Sequence, residues 1–389
     1  MKGRNLLMIP GPIEFEPAVL TALGEPTTSH IAPSFVEIFG QALERMRQVF
    51  LSKDGQPFIL AGSGTLAMDT AAANLVEPGE RALVVNTGYF GDRFRTILER
   101  YGAQVSQVGA PAGGSPSLQE IENELKKGGY KLITLTHVDT STGVLTDIQA
   151  IARLARQHDA LVMVDGVCSV AGEELRMSEW DLDVVLTASQ KAIGVPPGLA
   201  LLVAGPRAMA AFKARKTPVA NYYADWNNWL PIMEAYEARK VAYFGTPAVN
   251  LVYALNVSLG QILEEGLPAR FQRHIALARA CRAGISALGL GMVPLDDRQA
   301  AHTMTAPRYP AGIKAAEFLS NVSQAGVILA GGLLPSIRNE YFRIGHMGAN
   351  RVGDILATIG AIEHSLIACG FPIRSGAGVE AAQKAYYSS

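Results

Sequence analysis

Cysteine is scarce. The 389 residues contain three, Cys168, Cys281 and Cys369. They are odd in number and far apart, which excludes a disulfide framework and a zinc cluster. A reducing compartment is expected. An excess of charge of either sign is also missing: 34 Lys and Arg stand against 35 Asp and Glu, a formal net charge of −1. No global field therefore draws the chain to nucleic acid or to an anionic membrane. The run Lys213-Ala214-Arg215-Lys216 reads as a solvated helix end. No apolar stretch approaches the roughly 20 residues that span a bilayer. The opening MKGRNLLMIPGP has too short an apolar run for a secretory leader, and the closing AYYSS is not a Ser-Lys-Leu-type peroxisomal address. The expectation is a cytoplasmic protein with no nucleic-acid and no membrane partner.

What is present is apolar and ordered. Hydrophobic residues make up 49% of the chain, enough for a large core. From 57 to 205, short apolar runs alternate with helical patterns. The runs are PFILAG (57–62), RALVVN (81–86), KLITLTHV (131–138), ALVMVDGV (160–167), DVVLTAS (183–189) and GLALLVAG (198–205). Helices are expected from Thr65, around 92–101 and near 147–157. This alternation predicts an α/β fold with a mostly parallel central sheet flanked by helices. A long helix is expected over 248–288, leading into a smaller C-terminal α+β domain. The division expected is an N-terminal arm (1–17), a large domain (18–262), a small domain (263–375) and a loose tail (376–389). No internal repeat or low-complexity block is visible.

The residues with chemical potential follow the strands. Lys191, in LTASQKAIGVPPG, stands after an apolar run and before Pro196-Pro197-Gly198. A lysine facing a cleft there loses solvation and becomes nucleophilic toward an aldehyde; otherwise it is a surface lysine. Asp165 ends another run, 26 residues earlier. Buried, it needs a partner, and the alternatives are a protonated ring nitrogen, a helix cap or a metal. No His/Cys/Asp cluster lies nearby in sequence, so no metal is expected. Gly62-Ser63-Gly64-Thr65 has the form strand, glycine-rich turn, helix, which suits one phosphate or a simple capped turn. It is not a Walker A loop, and Ala67 takes the place of the third glycine of a dinucleotide fingerprint.

In order, Ser63-Gly64-Thr65, Thr136-His137 with Ser141-Thr142-Gly143, Val164-Asp165 and Ser189-Gln190-Lys191 resemble the class V aminotransferases of pyridoxal-phosphate (PLP) fold type I. The likeness is to the alanine–glyoxylate and serine–pyruvate aminotransferases, from MIPGP (8–12) to YFRIGHMG (341–348). The resemblance implies PLP held as a Schiff base on Lys191, with Asp165 on its ring nitrogen. It implies that Ser63, Gly64, Thr65 and Gln190 bind phosphate, that Thr140 lies near the ring hydroxyl and that Phe90 stacks on the ring. It also implies a homodimer with shared active sites, in which Tyr243 and Thr246 reach the neighbouring phosphate. Arg343 would bind the substrate carboxylate, with Gly11 lining the substrate. The substrates implied are small amino acids (alanine, serine) and 2-oxo acids (glyoxylate, pyruvate).

Two positions depart from the pattern. Phe90 replaces a more frequent Trp or His, and Ser29-His30-Ile31-Ala32 stands where some relatives read Ser-His-Arg-Ser. The alternatives within the class are a phosphonate–pyruvate aminotransferase and a lyase or cysteine desulfurase. A desulfurase needs a mobile cysteine ahead of Arg343, and 303–342 contains none. Outside the class stands a cofactor-binding protein without turnover.

Overall fold

The computed structural model describes residues 5–388, and its centre is a seven-stranded sheet. In chain order the strands are β1 (Gln56–Gly62), β2 (Arg81–Asn86), β3 (Gln104–Gly109), β4 (Tyr130–Thr136), β5 (Leu161–Asp165), β6 (Val184–Ala188) and β7 (Gly198–Ala204). They lie side by side as β1-β7-β6-β5-β4-β2-β3. Only β7 runs against its neighbours, and the other adjacent pairs are parallel. This is the expected α/β architecture. β5 and β6 are buried at every residue, which is why they read as unbroken apolar runs. β3 was not among the expected strands. It is a half-exposed edge strand whose sequence, QVSQVG, mixes polar and apolar residues.

Helices α1 (Gly64–Leu75), α2 (Tyr89–Arg100) and α3 (Ile148–Gln157) follow β1, β2 and β4. The single long helix expected over 248–288 is two helices, α4 (Val249–Glu265) and α5 (Leu267–Ala287). Gly266 separates them at φ +80, a left-handed conformation that suits glycine. Pro268, without an N–H, fits only the first turn of the new helix. No described helix is long and apolar enough to cross a membrane.

The hydrophobic core changes identity within α5. One cluster extends to Phe271; a second gathers Leu277, Phe318, Phe342, Ile344 and Ile359. The second surrounds a three-stranded antiparallel sheet containing β8 (Phe342–Gly345), followed by α6 (Val352–Ala368). The N-terminal arm is stitched into this part. Leu6–Leu7 pairs in parallel with Val327–Ile328, Met8 is fully buried in the second cluster, and its carbonyl accepts the Gly345 N–H at 2.8 Å.

The segment expected to be a loose tail is helix α7 (Ala377–Tyr387), packed on α5 and α6. Its small residues permit close approach: a methyl group on Gly378 would lie 3.0 Å from the Gly284 carbonyl oxygen. Glu363 of α6 is 5% exposed and accepts the backbone N–H groups of Gly376, Gly378 and Val379 at 2.8, 2.6 and 3.3 Å. Glu363→Ala leaves those donors unmatched and is expected to lower the unfolding free energy by roughly 2–4 kcal/mol. Glu380→Ala removes an exposed pair with Arg374 and should leave the unfolding free energy almost unchanged. Urea unfolding of the two variants separates these outcomes.

Candidate active site

β1, β2, β4, β5 and β6 run the same way, so their carboxyl ends share one edge of the sheet. Open α/β sheets collect ligands at that edge. Ser63 follows β1, Phe90 follows β2, Thr140 follows β4, Asp165 ends β5, and Gln190 and Lys191 follow β6.

Lys191 is 8% exposed, and its Nζ donates to the carbonyl oxygen of Pro10 in the N-terminal arm. Gly11 makes room for it. At φ +116, a Cβ on Gly11 would lie 2.5 Å from the lysine Cδ and 2.9 Å from Nζ. Burial lowers the pKa of the amine and Arg343 pushes the same way, while Cys168 and Asp165 oppose. The arrangement favours a neutral, nucleophilic amine.

Asp165 is 2% exposed, and its Oδ1 accepts the Val167 N–H at 2.9 Å. Burial raises its carboxyl to about 7, assisted by Asp139 and opposed by the Val167 N–H, Lys191 and Arg93. Among the described residues no cation is hydrogen-bonded to this buried acid. A protonated ring nitrogen would supply one and favour the carboxylate.

Ser63 is the N-cap of α1, with extended backbone, yet its side chain makes no cap hydrogen bond. The first N–H groups of α1 and the exposed Ser63 hydroxyl form an anion site. Gly64 permits close packing there, since its Cβ would come within 2.8 Å of Val167 Cγ2. Arg93 donates to Thr65 Oγ1 at 2.7 Å. This donor set suits a phosphate dianion. With the amine for an aldehyde and the acid for a ring nitrogen, the residues present fit PLP.

Phe90 lies in the first turn of α2, half-buried, with the Arg93 guanidinium 4.8 Å from its ring centroid. Its N–H donates to Asp139 Oδ2 at 3.2 Å, and Asp139 Oδ1 accepts the Ser141 N–H and hydroxyl at 2.8 and 2.5 Å. The loops after β2 and β4 are thereby joined. Thr140 is buried, and its carbonyl accepts Arg343 Nη1 at 3.2 Å. Arg343 Nε donates to the Gly331 carbonyl at 2.8 Å. Two fixed carbonyls aim the guanidinium and leave Nη2 for an outside acceptor.

Tyr243 and Thr246 are not part of this cluster within one chain. Both are exposed, Tyr243 at 65%, and its ring lies 5.3 Å from that of His30. Sequence reasoning missed Pro10, Arg93, Asp139 and Val167. Arg93 carried a signal, because it lies one helical turn after Phe90 and so shares its face. Pro10 carried none beyond its place in MIPGP, because its contact spans 181 residues of chain.

A buried amine, a buried acid and a helix N-terminus suited to an anion, all on one sheet edge, define a PLP enzyme of fold type I. The aminotransferase class-V profile matches residues 20–345, and the chain belongs to that family. It is 41% identical to alanine–glyoxylate aminotransferase 1 of Saccharomyces cerevisiae, covering 89% of this chain and 93% of the relative. It is 31% identical to the serine–glyoxylate aminotransferase of Arabidopsis thaliana, covering 98% and 94%. The crystal structure of the ureidoglycine–glyoxylate aminotransferase of Bacillus subtilis superposes with a TM-score of 0.93 at 29% identity, covering 99% of each chain.

The Asp165 environment yields a pH test. The cofactor-free folded chain holds a proton up to about pH 7 that the unfolded chain releases near 3.8. Raising the pH through that window therefore favours unfolding, by up to about 1.4 kcal/mol per unit. Asp165→Asn should remove this part of the slope, leaving the cofactor-free variant at least as stable as the parent at pH 8 while weakening its hold on PLP. Thermal unfolding at pH 5 and 8, with a PLP titration, measures both.

Proposed function

We propose that the protein transfers the amino group of a small amino acid, alanine or serine, to a small 2-oxo acid, glyoxylate first and pyruvate second. The observation that carries this reading is the convergence of Lys191, Asp165 and Arg343. These are a displaceable amine, a ring-nitrogen acid and a carboxylate clamp, and Lys191 is close enough to the other two for both to shift its ionisation. The three relatives named above differ in donor but share glyoxylate, which supports it as the acceptor.

Bound PLP supplies an aldehyde that condenses with amines and a cationic ring that takes up electrons from a breaking C–H bond. Ser63, Gly64, Thr65 and Gln190 hold the phosphate. Phe90 would lie against the ring, Thr140 would lie near its hydroxyl, and Asp165 would hold the proton on its nitrogen. Arg343 would hold the substrate carboxylate through Nη2 and so orient its Cα–H bond. Lys191 Nζ, once displaced, takes the Cα proton and returns it one position away. Pro10 and Gly11 close the amine side of the cleft, which keeps water out and admits only small substrates. The second oxo acid reverses these proton movements. The reaction is then ping-pong: double-reciprocal plots at several acceptor concentrations should be parallel, and intersecting lines would count against the scheme. Lys191→Ala should abolish turnover.

The homodimer belongs to the same proposal. Tyr222, Phe244, Trp229 and Tyr223 form one chain of ring contacts, His30 and Tyr243 form a separate pair, and Tyr222, Tyr243, Val241 and Ile31 are exposed. A second copy covering this face would bring Tyr243 and Thr246 to its own phosphate cradle. Subunit mixing tests it. Inactive Lys191→Ala and weakened Tyr243→Ala/Thr246→Ala proteins should regain activity when refolded together, because a hybrid dimer rebuilds one intact site. Sites held within one chain would give no gain. The three unpaired thiols support a reducing compartment, the cytoplasm.

A further inference from the structure

Arg270 stands in the first turn of α5, immediately after the break at Gly266. It is 7% exposed, and each arm of its guanidinium is used. Nε donates to the Ala171 carbonyl at 2.7 Å, Nη2 to the Ala192 carbonyl at 2.8 Å and Nη1 to Glu265 Oε2 at 2.7 Å. Ala192 is the residue after Lys191. Ala171 lies in the turn that follows Asp165 and holds φ +65, a conformation that costs a residue bearing a Cβ and needs outside support.

The third arm extends the network. Glu265 Oε1 and Oε2 also accept Arg273 Nε and Nη2, at 2.6 and 2.9 Å. Arg273 Nη1 donates to the carbonyls of Gly348 and Asn350 at 3.0 and 3.1 Å, in the turn that follows β8 and Arg343. Burial pushes the Glu265 carboxyl up, but the two guanidiniums outweigh it and hold the group below its ordinary value, so it stays charged. One ion cluster at the α4–α5 break therefore touches the loop after the amine, the loop after the acid and the loop after the carboxylate clamp.

We propose that Arg270 is a positioning residue for the transamination: its planar fork fixes the Lys191 loop against the Asp165 loop, and Glu265 with Arg273 ties both to the Arg343 loop. The proposal rests on the roles given above to Lys191, Asp165 and Arg343. A lysine at 270 keeps the charge, but a point ammonium cannot reproduce three donors in fixed in-plane directions. The loops would stay attached and lose register, and reacting atoms displaced by an ångström cost about a hundredfold in rate.

Arg270→Lys in the full chain is the test, with three readouts. In the cofactor-free protein, amide exchange should quicken at Gly172 and Glu173, bonded to the Ser169 carbonyl, and at Gly194 and Val195, bonded to the Lys191 and Ser189 carbonyls. With PLP bound, kcat should fall about tenfold to a hundredfold with little change in KM. The pH midpoint of the bound cofactor's visible absorbance should also move. A variant that merely unfolds more easily, with parental kcat and midpoint, overturns the proposal. Should Arg270→Lys not fold, Glu265→Gln takes its place. It preserves shape but removes the charge that aims both guanidiniums, and it should show the same changes several-fold weaker; parental kcat and midpoint would again overturn the idea. Failure of the underlying reading looks different: the parent protein itself would carry no cofactor absorbance, while exchange at the four amides would still report on the strut.

Discussion

An amine surrounded by protein pays for lost hydration by giving up its proton more readily, and Lys191 is built around that fact. At 8% exposure it has traded water for the Pro10 carbonyl, with Arg343 adding a further push toward neutrality. The rest of the architecture maintains this burial. The sheet delivers the lysine three residues beyond the end of β6. The arm, anchored by Leu6–Leu7 and Met8 in the second core, lays Pro10 and Gly11 over it. Lys191, delivered by the sheet, thus meets an arm anchored in the second core, so the amine reports on whether the two are assembled.

The acid at 165 completes the logic from the other side. Burial alone leaves it near neutrality, unsuited to be a simple structural anion. A cationic ring against it would resolve the mismatch, while the helix N-terminus and the Ser63 hydroxyl would donate to a phosphate. One molecule, PLP, would thus suit the amine, the acid and the anion site together. The same site leaves substrate range to a few positions. In the role proposed above, Arg343 would hold the carboxylate. Ile31, where some relatives have arginine, lies at 48% exposure on the face proposed for the second subunit.

The chemistry was more legible in the sequence than the framework that supports it. Ser63, Asp165 and Lys191 each follow an unbroken apolar run, and such runs are strands buried on both faces, so their ends had to converge. β3 escaped notice because an edge strand exposes one side and loses the apolar signature. Gly266-Leu267-Pro268 did contain the signal that splits the helix expected over 248–288, since a glycine followed closely by proline ends one helix and begins another. The last helix was hidden by its own composition. Gly376, Gly378 and the alanines around them read as loose chain, yet small residues are what let α7 approach α5. Contacts between distant segments, Lys191 to Pro10 and Arg270 to Ala192, left no local trace at all.

The central claim is that the Lys191 amine, and no other, bonds to the cofactor aldehyde. Borohydride reduction of the PLP-loaded protein makes such a bond permanent, and peptide mass spectrometry locates it. The account predicts one cofactor-derived adduct per chain, on the peptide carrying Lys191, with activity lost in step with its formation. An adduct on a different lysine, or full activity retained after stoichiometric reduction, would contradict it.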